Sequence, residues 1–346
     1  MLRTAMMLLI AISLGGCYYL QAARGQWQVL HGKAPIATVI EDAQTPPELA
    51  RRLAVVAEAR RFAVDELGLP DNASYTTYSD IGRDYVVWNV FAAPEFSVQA
   101  KAWCFPVAGC VNYRGYFSRE AAQREAGRLE ARGFDVAVGG VTAYSTLGRF
   151  DDPVLSSMLR WDDAELVATL FHELAHQVLY VKDDSAFNES FATAVEEAGI
   201  RRWLGARNDA DALAAYNDAR RLRRDLMALV AVVRDALQAI YESDLSDDDK
   251  RREKRARLDA LAADAARLMQ AAGREPSGWL TGELNNARLV SMTLYEGRLP
   301  AFRALLAGCD GAFACFYDAA SRLADLDAAQ RSERLDALAG SESMSR

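Results

Sequence analysis

Residues 171–192 read FHELAHQVLYVKDDSAFNESFA, and this stretch decides how the rest of the chain is understood. It holds two of the three histidines, His172 and His176, with Glu173 beside the first; Glu189 follows the pair after twelve intervening residues. On a helix advancing about 100° per residue, Leu170, Phe171, Leu174 and Val178 share one apolar sector with Ala175 at its edge. His172, Glu173 and His176 lie on the other side. Residues four apart stack on one face, so two imidazoles there can reach a single ion. The glutamate between them can hold and deprotonate a metal-bound water. With only three histidines in 346 residues, coincidence would need two of the three to land in this register.

A catalytic zinc site needs a third protein ligand and one open position. The remaining histidine, His31, lies near the N-terminus, outside any expected regular element. A carboxylate is therefore the expected third ligand, and Glu189 supplies it from the first turn of a helix expected over 188–204. The connection Lys182 to Phe187 (KDDSAF) is short and polar, so this helix can turn back antiparallel to the one expected over 163–180. Lys182, Asp183 and Asp184 read as solvated loop residues.

At these residues the sequence resembles the gluzincin metallopeptidases, which follow HExxH with a glutamate ligand on the next helix. Asn188-Glu189-x-Phe191-Ala192 is similar to the NExFA form of the zinc aminopeptidases in that clan. The resemblance implies one zinc ion held by His172, His176 and Glu189, with Glu173 as general base. It also implies that Glu196, seven residues beyond Glu189, supports a ligand histidine from behind; the competing reading is a solvent-facing charge. The connection between the helices is shorter than in the better-known enzymes. Over most of the chain the sequence is also similar to a family of bacterial lipoproteins described as predicted aminopeptidases. The segments that carry this are Tyr85-VVWNVFAAPEFS, Trp103-CFPVAGC with Tyr113-RGYF, and Tyr144-STLGRFDDPVLSSML.

The N-terminus reads as a processing segment. Arg3 precedes an apolar run, Ala5 to Leu14, too short for the roughly 20 apolar residues of a membrane-spanning helix. Leu14-Gly15-Gly16-Cys17 resembles a bacterial lipoprotein signal, which implies cleavage before Cys17 and acylation of its thiol. Residues 1–16 are then the signal peptide, 17–24 a lipidated tether, and 25–346 a single metallopeptidase-like domain. Tyr18 rather than aspartate after Cys17 points to the outer membrane, with the protein facing the periplasm. An oxidising compartment suggests disulfides among Cys104, Cys110, Cys309 and Cys315. The local pairings 104–110 and 309–315 are preferred over the other two connectivities, and the spacings fit structural zinc poorly.

Outside the signal segment, periodicity predicts helices over 47–67 and 120–132, strands within 74–99 with a turn near Pro94, and a strand over 134–144. Two long charged helices follow over 206–272, broken near 243–249, where Ser246 and Asp249 form a capping box. The basic cluster Arg251 to Arg257 reads as a solvated helix face. A helix over 285–306 is interrupted at Pro300, and the last thirty residues hold a terminal helix and a polar tail. The expected fold is α+β and mostly α-helical, a zincin-like metallopeptidase core with a small sheet and a long helical hairpin.

Acidic residues outnumber basic ones 48 to 40, which speaks against a nucleic-acid-binding surface. The expected function is a zinc-dependent peptidase of the cell envelope, an aminopeptidase by resemblance, acting on peptide substrates and held at the membrane through Cys17. No histidine is free to stabilise the oxyanion, so a tyrosine or arginine is expected, with Tyr295 and Tyr144 as candidates. The alternative is a non-catalytic lipoprotein whose structural or vestigial metal site accompanies partner binding.

Overall fold

The computed structural model describes residues 18–105, 109–143, 146, 148–275, 282–293 and 298–344. In chain order it has α1 (18–31), β1 (Lys33–Pro35), α2 (Ile36–Glu41), α3 (Pro47–Asp65), β2 (Thr77–Ser79) and β3 (Val87–Pro94). Next come β4 (Trp103–Phe105), β5 (Gly109–Val111), β6 (Arg114–Tyr116), α4 (Arg119–Glu130), β7 (Phe134–Val141) and β8 (Val154–Leu155). The metal-motif helices are α5 (Asp163–Ala175) and α6 (Ser185–Ala206). They are followed by α7 (Ala210–Glu242), α8 (Asp247–Ala271), α9 (Asn286–Thr293), α10 (Leu299–Ala307), α11 (Phe313–Ala324) and α12 (Ala328–Met344). The class is α+β and predominantly helical, as the sequence suggests.

The main core lies between α3, α5, α6 and the C-terminal helices. The apolar sector of α5, with Leu166, Leu170, Phe171 and Leu174, is fully buried there. From α6, Phe187 and Phe191 enter one turn apart. Phe191 stacks on Phe316 at 5.5 Å, and Phe187 meets Phe302 edge-on at 5.0 Å. Each such ring contributes about 1.5–3 kcal/mol by burial, so the turn that carries Glu189 is anchored on both sides of it. The α5–α6 approach is close: a Cβ on Gly199 would stand 2.8 Å from Leu67 and 2.9 Å from Phe171.

A three-stranded sheet has the order β6-β3-β7, with β3 antiparallel to both neighbours and β7 at an edge. The helix α4 covers it through Ala122, Ala126 and Leu129, opposite Val90, Ala92 and Val136. A second small sheet, β1-β2-β8, lies against the main core, and β4-β5 form a hairpin closed by the Cys104–Cys110 disulfide. Cys309–Cys315 closes the turn between α10 and α11, so both local pairings are present.

The α7–α8 hairpin buries its own apolar seam and docks on the ends of β3 and β7. Asn286 holds that junction, donating to the Pro94 and Glu95 carbonyls and accepting from the Tyr241 hydroxyl at 2.8 Å. Ser246 caps α8 by accepting from the Asp249 amide, as the capping box requires.

Several details differ from the sequence expectations. The stretch expected as a tether is helical from residue 18 and belongs to α1, because Tyr18 and Val29 find apolar partners on the domain. The first metal-motif helix ends at Ala175, not near Tyr180. Asn188 accepts from the Val181 amide at 2.7 Å and donates to its carbonyl at 2.8 Å, which holds that residue out of the helix. Lys254, in the cluster expected to be a solvated face, is 8% exposed and pairs with Asp135 at 2.7 Å. Pro300 lies in the first turn of α10, where a missing N–H costs nothing. The last thirty residues belong to two helices, α11 and α12, rather than one.

Candidate metal centre

Asp162 starts α5 by accepting from the Glu165 amide at 2.8 Å, and α5 delivers His172 and His176 on one side near its C-terminal end. Asp184 starts α6 by accepting from the Phe187 amide at 3.1 Å, and is itself held by Arg331 at 2.9 Å. This cap fixes the turn in which Glu189 projects. The antiparallel return therefore brings Glu189 to the two imidazoles: the ligating atoms of His172, His176 and Glu189 all lie within 4.8 Å of one another.

The triangle is compact. Nε2 of His172 is 3.2 Å from Nε2 of His176 and 3.3 Å from Oε2 of Glu189; His176 Nε2 is 3.8 Å from Oε1 of Glu189. Ligands about 2.0–2.2 Å from a tetrahedral ion stand about 3.3–3.6 Å from each other. Glu189 Oε2 is buried with no aligned hydrogen-bond partner among the described residues. Two imidazole nitrogens and an orphaned carboxylate oxygen converging at this spacing fit a zinc ion.

Behind the triangle, Nδ1 of His172 lies 3.0 Å from Oε2 of Glu196. With its Nδ1 proton donated there, His172 offers Nε2 forward. Glu196 is also approached by the Tyr216 hydroxyl at 3.5 Å and by Arg220 at 3.6 Å, both from α7. Arg220 turns its other nitrogens to Glu197, Nη2 at 2.5 Å and Nε at 3.0 Å, and Arg303 of α10 grips the same carboxylate at 2.8 Å. A cleft of about 580 Å³ between α5, α6 and α7 is lined by His172, Glu196, Tyr216 and Arg220.

The electrostatics are those of a site that holds positive charge. Burial works against a charged His172, but contacts with Glu189 and Glu196 outweigh it and hold this imidazole well above its ordinary pKa. Burial would raise Glu189, yet the two imidazoles keep it lowered. His176 is pushed down to about 4, by burial first and by the neighbouring His172 charge. Burial raises Glu173 to about 7, and the carboxylates of Glu189, Asp152 and Glu196 add to it against His172.

A family model described as "Putative aminopeptidase" matches residues 17–335. The chain belongs to that family. At this level it is placed among peptidases, with peptides as the substrates such an enzyme takes. The match takes in both metal-motif helices and the α7–α8 hairpin that backs them. No curated protein and no solved structure matches the chain.

Of this aminopeptidase-family chain's sequence-predicted site residues, the fold brings together His172, His176, Glu189 and Glu196, with Glu173 beside them. Cys17, Tyr144 and Tyr295 lie outside the described residues. His31 is remote, stacked on Trp27 at 4.0 Å.

Other residues near the site escape sequence reasoning. Tyr113, beside β5, packs on Phe91, and its phenol is raised by burial and by the charges of Glu189 and Glu173. The β4–β5 hairpin that precedes it is tied to the α5–α6 loop, because Asp183 accepts from the Cys110 amide at 2.7 Å. Asp183 adopts φ +65°, and a Cβ on Gly109 would sit 2.1 Å from its carboxylate, so glycine admits the contact. Arg220 hides in the charged run ARRLRRD. Ala212, Ala215 and Ala219 of the same helix line the cleft with it, and nothing in the sequence separates it from the arginines beside it.

Proposed function

We propose that this family member is a zinc-dependent peptidase of the cell envelope, and that it acts as an aminopeptidase. His172, His176 and Glu189 hold one zinc ion. The observation that carries this reading is the mutual approach of the three ligating atoms, with a buried Glu189 oxygen on which no hydrogen-bond donor is aligned among the described residues. The ion, when bound, supplies a polarised carbonyl and a water acidic enough to ionise near neutral pH.

The chain's own residues perform the rest. Glu196 keeps the His172 Nδ1 proton in place and so presents Nε2 forward. Glu173, with a pKa raised to about 7 before any cation adds its own field, is suited to take a proton and return it to the leaving amine. A phenol that resists ionisation remains a hydrogen-bond donor, and Tyr113 is such a group within electrostatic reach of Glu173 and Glu189. Its packing on Phe91 and the tie of its hairpin to the α5–α6 loop support it as the oxyanion donor. Through the lipid on Cys17 the enzyme is held at the outer membrane, facing the periplasm.

Aminopeptidase rather than endopeptidase action rests on the family description. A peptide library offered with free and with blocked N-termini tests it. Release of N-terminal residues from free peptides alone is the expected result, and cleavage of blocked peptides at internal bonds would make the protein an endopeptidase.

A further inference from the structure

The helix α1 has two unlike faces. Inward, Tyr18 stacks on Phe105 at 5.6 Å, Gln21 accepts from the Phe117 amide at 3.1 Å, Gly25 lies against the Phe117 ring, and Val29 is buried. Outward, Tyr19, Leu20 and Trp27 are 50%, 71% and 56% exposed, and Ala23, Arg24 and His31 share their side of the helix. Large apolar side chains left half or more exposed along one helical stripe call for a cover. Trp, Tyr and a cation on that stripe match the chemistry of a bilayer headgroup region.

Two sequence facts commit the stripe to one occupant. The acylation motif ends at Cys17, one residue before α1 begins, so an acyl anchor there would bring the first turn of the helix to the lipid surface. The chain also carries no acidic residue before Glu41, although it has 48 in all. Arg24, exposed on the outward side of α1, therefore has no acidic residue within its own helix to oppose anionic headgroups.

We propose that α1 lies in the membrane interface, with Tyr19, Leu20 and Trp27 inserted among lipid headgroups. The acyl chains supply the holding force; the helix fixes orientation, so the domain rides at a set angle instead of swinging on a tether. Its inner face continues through Tyr18 and Phe105 to the β4–β5 hairpin, whose Cys110 amide is held by Asp183 beside the metal helices. The membrane plane is thereby placed in fixed relation to the site. The proposal rests on the reading of Cys17 as the acylated residue.

The test uses the full-length protein, processed in a bacterial host and reconstituted into phosphatidylethanolamine–phosphatidylglycerol vesicles containing lipids brominated near the headgroup. The mass of the N-terminal peptide reports acylation independently. Trp27 is one of six tryptophans, so Trp27→Phe serves as the optical reference. Bromolipid quenching of wild type that disappears in Trp27→Phe is the expected result. Equal quenching in both proteins, with acylation present, overturns the docking while leaving the anchor intact. If Cys17 is found unmodified, the anchor reading fails alone. Vesicle flotation of that protein then decides docking: flotation lost in Leu20→Ser/Trp27→Ser supports it, and no flotation of wild type overturns it. Trp27 shielded by an envelope protein rather than quenched by lipid also overturns it.

Discussion

Nδ1 of His172 and Oε2 of Glu196 stand 3.0 Å apart, across the two antiparallel helices of the metal motif. The contact fixes the tautomer of a proposed ligand and links it, through Arg220, to the α7–α8 hairpin. Glu196→Gln should weaken zinc affinity by about 10–100-fold with the fold intact, since the partner behind a ligand histidine typically contributes that much. Competition titration with a chelator measures it; unchanged affinity would reduce Glu196 to a bystander.

Glu197, one residue on, supports stability rather than chemistry. Burial would raise its carboxyl, but Arg303 and Arg220 hold it at about 2, below the ordinary 4.5. A depressed folded-state value means the stabilisation is fully present above about pH 4.5 and is lost as pH falls toward 2. A difference of that size corresponds to about 3 kcal/mol, as an order of magnitude. Urea midpoints of wild type should therefore fall steeply over this window. Glu197→Gln should lack that component of the slope and be destabilised by about 3 kcal/mol at pH 7, because it removes the charge that Arg303 and Arg220 share, while Arg220 keeps Glu196. Parallel pH profiles for the two proteins would contradict the assignment.

Tyr113→Phe removes a hydroxyl and little else. If that hydroxyl meets the oxyanion, kcat should fall by about 10²–10³-fold while bound zinc stays stoichiometric. Steady-state kinetics with metal analysis on the same samples decides it, and an unchanged kcat would return Tyr113 to packing.

Much of this was legible in the sequence because it is local. His172, Glu173 and His176 are related by helical spacing alone, and α5 buries the apolar sector that spacing defines. Glu189 required only that the KDDSAF connection turn back. The two disulfides close short loops, which sequence distance favours. What was not legible depends on contacts between distant segments. Arg220 and Arg303 reach Glu197 from α7 and α10, and no spacing announces which arginine of a charged helix will be buried. Tyr113 comes within electrostatic reach of Glu189 from a separate hairpin, which Asp183 fastens to the α5–α6 loop. The early end of α5 was hidden for the same reason: the Asn188 side chain competes with the helix for the backbone of Val181. The helical form of 18–31 was missed because its inner face is covered by Phe105, Tyr116 and Phe117, far along the chain.

The most direct test of the central claim compares wild type with Glu173→Gln, measuring zinc content and peptide hydrolysis on the same preparations. The account predicts one zinc per chain in both proteins, hydrolysis of free peptides by wild type, and loss of that activity in the variant. Stoichiometric zinc with no hydrolysis by wild type, or activity that survives the substitution, would contradict it.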